Sequence, residues 1–133
     1  MSSRHVYLGN GFEIHFSFVS GVLRAQVEGP HDSFDVSIAY WKAIVQERLR
    51  LDATRILVVE NLADSTHADV TLSMADELLK RDVAGCRVAF VDRGVDNRAV
   101  QELIAMRARD QGIIATVFGD EGQAINWLRH GID

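Results

Sequence analysis

Three short apolar runs, "ILVV" (56–59), "VAFV" (88–91) and "IIATVF" (113–118), carry no polar alternation. A strand with one wet face reads apolar and polar in strict turn, because successive side chains point to opposite faces. Runs without that alternation belong to strands covered on both faces, as in parallel sheets. The segments between them, "ADVTLSMADELLKRDVAG" and "DNRAVQELIAMRARDQG", have helical spacing and end at Gly85 and Gly112. Strands alternating with helices imply a mostly parallel sheet with right-handed crossovers. Any fold of this chain must therefore supply apolar cover on both sides of its central strands.

The N-terminal part obeys a different rule. "GFEIHFSF" puts Phe12, Ile14, Phe16 and Phe18 on one face and Glu13, His15 and Ser17 on the other. Ser20–Gly21 is a turn signal, and "VLRAQVEG" alternates again with Leu23, Ala25 and Val27 inward. The pair predicts an antiparallel hairpin. Gly29–Pro30 breaks the second strand. A helix follows, with Phe34, Ile38, Trp41, Val45 and Leu49 on its core face beside Ile44, and with Asp32 or Ser33 as its cap. "DEGQAINWLRHG" predicts a closing helix capped by Asp120 and anchored by Ile125, Trp127 and Leu128. Trp41 and Trp127 fall at core spacing and read as packing anchors. The expectation is one α/β domain over residues 1–133, with a hairpin, then three βα units, five strands and about four helices.

Composition narrows the function classes. The net charge is −5 and the basic residues are scattered, which argues against nucleic acid and against a polybasic membrane contact. No run approaches the ~18 apolar residues of a membrane span, and the opening "MSSRHVYLGNGFEIHF" lacks the apolar core of a signal peptide. The lone Cys86 excludes an internal disulfide, fits a reducing cytoplasm and reads as a small buried apolar residue. The five histidines show no His-x-His or His-x₃-His spacing, and there is no phosphate loop and no G-x-S-x-G elbow. No metal, cofactor or catalytic group is expected.

"RILVVENLAD" (55–64) looks like the first strand and acidic loop of a two-component receiver. A hairpin and a long helix precede it, however, and too little chain follows for a receiver's remaining strands. The hairpin, the helix carrying "YWKAI", the strands "RILVVENL" and "RVAFVD" and the ending "ATVFGDEGQAINWLRHG" instead resemble the STAS-like domains, in the SpoIIAA-like branch of STAS/SEC14 type. The resemblance runs from about Phe12 to Gly131. It implies a βα superhelix of strands in chain order, with successive crossover helices on the same face. The opposite face then needs cover from the N-terminal segment, the last helix or another chain. Phe12, Phe16 and Phe18, placed on an edge strand, are candidates for that cover, and a homodimer is one expected outcome.

The resemblance implies a non-catalytic, regulatory, protein-binding domain acting in the cytoplasm. The alternative it leaves open is a carrier of a small apolar, lipid-like ligand. Anti-sigma-factor antagonists of the family carry a phosphorylatable serine in a "DSSG"-type turn. Here the loop reads "NLADSTHADVTLS", without the glycine and longer, so Ser65 and Thr66 are only a partial counterpart. They serve either as modified hydroxyls or as loop and cap residues. Open α/β sheets bind ligands at the carboxyl ends of their strands. That edge gathers Glu60, Asn61, Asp64, His67, Asp92, Arg93 and Asp120 as a ligand or partner edge. Its carboxylates could share acid–base work or a divalent cation, or they could simply cap helices and solvate loops.

Overall fold

Two tight reversals near the N-terminus build an antiparallel ribbon. The structure, a computed structural model, describes residues 3–29, 34–62, 85–92, 102, 106, 109 and 114–130. β1 (Ser3–Gly9) turns through Asn10–Gly11 into β2 (Phe12–Val19), and β2 turns through Ser20–Gly21 into β3 (Val22–Gly29). At the second turn both residues have positive φ, 53° and 80°, the hand that matches the twist of a two-residue hairpin. Gly11 sits at φ 85°, where a residue with a Cβ would be strained.

α1 (Phe34–Leu51) crosses over to β4 (Arg55–Leu62), and β5 (Arg87–Asp92), β6 (Ile114–Phe118) and α2 (Glu121–His130) follow. Glu102, Met106 and Arg109, between β5 and β6, are helical. All six strands form one sheet in chain order, antiparallel through β3 and parallel from β3 to β6. The α/β class and the hairpin are as the sequence reading has them. Among the described residues the strand count is six rather than five, the extra strand being β1: "VYL" is continuously apolar and hides the alternation, while Asn10–Gly11 marks the turn. Of the four expected helices, the backbones of two are described end to end; most of the 68–85 and 96–112 segments lies outside the described residues.

The first face of the sheet packs under α1. Phe12, Ile14, Phe16, Leu23, Ala25, Val27, Ile56, Val58, Val88 and Phe90 meet Tyr40, Trp41, Ile44 and Val45 there. The second face is covered by α2 over the parallel strands: Val22, Leu57, Val59, Ala89 and Val91 meet Ala124 and Leu128, with Phe118, Ile125 and Trp127 partly buried around them. Arg87 stacks its guanidinium on the Trp127 ring at 5.0 Å. The last helix, one of the three covers the sequence left open, takes the second face. One expectation is corrected. Phe12, Phe16 and Phe18 lie on an interior strand and pack on the α1 side.

α1 ends in a paired reversal: Ala53 N–H donates to Arg48 C=O (2.9 Å) and Asp52 N–H to Leu49 C=O (3.3 Å), with Asp52 at φ 53°. Leu49, expected in the core, is half exposed. Its helical position is displaced from the buried stripe of Tyr40, Ile44 and Glu47. Side chains of residues 34–38 are outside those described. Cys86 is fully buried as expected, but its cationic neighbour is Arg48 from α1, whose Nε donates to Sγ at 3.3 Å. No helix among the described residues is long and apolar enough to cross a membrane.

Candidate functional site

The hairpin strands carry one wide surface that, among the described elements, neither α1 nor α2 covers. On the second face of β1–β3 the alternation presents Arg4, Val6, Glu13, His15, Ser17, Arg24, Gln26 and Glu28. α2 stops short of it, pinned at its first turn by a two-pronged ion pair. Arg24 Nε donates to Glu121 Oε1, and Nη2 donates to Oε2 at 3.2 Å. Between this pair and β1 lies an open groove of about 620 Å³ lined mainly by polar side chains. It adjoins a smaller, more apolar one of about 250 Å³ under α2, lined by Val19, Val22, Leu57 and Ile125.

At the groove's edge, Glu13 and His15 are two apart on β2 and so share a face, while Glu28 is the register partner of Glu13 and Gln26 that of His15; His15, Gln26 and Glu28 line the groove. Those four residues form the corners of one patch. His15 Nε2 lies 3.3 Å from Glu13 Oε1 and 3.5 Å from Glu28 Oε2. One donor atom from each of the three residues falls within 4.8 Å of the others. Gln26 donates its amide N–H to the other Glu28 oxygen, Oε1.

A second charged cluster joins β1 to α1. Glu47 is buried, and accepts hydrogen bonds from Arg50 Nε (2.8 Å) and Nη2 (2.9 Å). His5 Nδ1 lies 3.0 Å from Glu47 Oε2. The hydrogen bonds Arg50 donates to Glu47, and then the Glu47 charge, hold the Arg50 guanidinium above its ordinary pKa.

The expected carboxyl-end edge is only partly visible. Glu60 and Asp92 are register partners at the ends of β4 and β5, and Asn61 is the register partner of Glu28. Asp120 is a helix cap: its carboxylate accepts from Gly122 N–H (3.3 Å) and Gln123 N–H (3.4 Å), which accounts for its presence without a ligand. Asp64, Ser65, Thr66, His67 and Arg93 lie outside the described residues. The Glu13–His15–Glu28 patch was not singled out from the sequence, although its signal was there. The alternation placed Glu13 and His15 together, and the two-residue turn fixes Glu28 opposite. No family model, curated protein or solved structure matches this chain.

Proposed function

We propose that this chain is a non-catalytic, regulatory protein-binding domain of the STAS-like kind, acting in the cytoplasm, whose partner is a second copy of itself docked along β1. The supporting observation is the outer strand. Among the described residues β1 pairs with β2 alone, and Val6 (49 %), Tyr7 (38 %) and Leu8 (75 %) stand exposed on it. A seven-residue edge with open backbone groups is a template for another strand. An antiparallel pairing centred on Val6 sets Arg4 against Leu8 and His5 against Tyr7 of the copy, so no like charges meet. The strands in chain order support the STAS-like reading. The small apolar-ligand alternative has weaker support. The apolar groove of about 250 Å³ falls below the roughly 300 Å³ at which ligand pockets begin.

Sedimentation velocity over a concentration series tests this. The wild type should shift from monomer to dimer, and Val6→Lys, which sets two ammonium groups against each other on the two-fold, should remain monomeric with an unchanged circular dichroism spectrum. A wild type that stays monomeric throughout removes the proposal.

A further inference from the structure

We propose that Glu13, His15 and Glu28 form a binding site for a divalent transition-metal ion of the zinc type, independent of how β1 pairs. Donors bound to zinc at about 2.0–2.2 Å in a tetrahedron stand roughly 3.4 Å apart. The two separations from His15 Nε2, 3.3 and 3.5 Å, match such edges, and the third needs only a rotation of carboxylates on two neighbouring strands.

An ordinary ion pair explains the patch less well. Nε2 is shielded from solvent and makes no hydrogen bond among the described residues, although two carboxylate oxygens are near it. Both oxygens lie within 3.5 Å of Nε2 without forming a hydrogen bond to it, and a cation shared by the three donors would satisfy all of them. Glu13 and Glu28 also stand directly opposite each other across the ladder, where like charges repel. A divalent ion converts that repulsion into ligation. The Gln26 amide holds Glu28 Oε1 and leaves Oε2 toward His15, as an outer partner that orients a ligand does.

The donor set fixes the class of ion. One imidazole with two carboxylates suits zinc, cobalt or manganese, whereas magnesium and calcium favour oxygen alone. Three protein donors leave further positions for water or an anionic ligand, and two of the donors, His15 and Glu28, line the groove of about 620 Å³.

Isothermal titration of the full chain with zinc chloride is the test, with cobalt(II) absorption reporting geometry. One equivalent should bind, magnesium should not compete, and cobalt should show the visible bands of a four-coordinate ion. His15→Gln and Glu28→Gln, both near-isosteric and checked for folding by circular dichroism, should abolish binding. Gln26→Ala should weaken it about 10-fold. His130→Gln, on α2 away from the patch, should leave it unchanged. No binding in excess zinc, which means an ion-pair cluster only, overturns the proposal, as does undiminished binding by folded His15→Gln and Glu28→Gln.

Discussion

The hairpin half of the sheet and its parallel half are made of strands of similar length but obey opposite rules. β2 and β3 bury one face and wet the other, whereas β4 and β5 bury both. The difference follows from connection type. A two-residue turn adds no layer, so among the described elements β1 and β2 acquire cover only from α1, which packs on the face carrying Phe12, Ile14 and Phe16, while α2 reaches β3 at Val22 and Arg24. The parallel strands receive α1 on one side and α2 on the other. The half left single-layered is where polar side chains can gather in geometries useful for binding.

The largest test of this contrast is Leu128→Ala. Leu128 is fully buried where α2 meets Leu57 and Val91. Its truncation should cost about 3 kcal/mol by urea unfolding, while Leu8→Ala on the exposed hairpin strand should cost no more than about 0.5 kcal/mol. Comparable losses at the two sites would mean that α2 is not the cover. Next comes Glu47→Ala, which removes the carboxylate joining β1 to α1. His5 and Arg50 are each about half exposed and regain water, so the loss should be about 1 kcal/mol. A urea midpoint unchanged from wild type would show that the cluster does not tie the hairpin down. The smallest is Asp52→Gly, at the left-handed residue that ends α1 and carries a negative charge at a helix C-terminus. Glycine should stabilise by about 0.5 kcal/mol, read as a rise in melting temperature; a fall would place the strain elsewhere.

How legible each half was in the sequence follows from the same contrast. Alternation located β2 and β3 and their buried faces residue by residue, because period two has one solution once a face is apolar. The uniformly apolar runs announced β4, β5 and β6 but not which layer lay on which side. That depended on α2, whose Ala124 is too small to stand out as an anchor, though Leu128 did. β1 escaped because Val6, Tyr7 and Leu8 blur the period, and only Asn10–Gly11 betrayed it. The patch was missed because Glu28 lies 13 and 15 residues from His15 and Glu13 in sequence and meets them only through register. The edge chosen instead rested on the general behaviour of open α/β sheets, and its Asp120 satisfies helix amides, as its reading as a cap had it.

Strands laid side by side in chain order also have a kinetic meaning. Each new strand finds its neighbour already in place as the polypeptide leaves the ribosome, so little of the sheet waits for distant sequence. The exception is α2, made after all the described strands, which must reach back to β3, β4 and β5. Until it arrives, Leu57, Val59, Ala89 and Val91 face water. A nascent chain stalled before residue 121 would therefore be a natural client for chaperones.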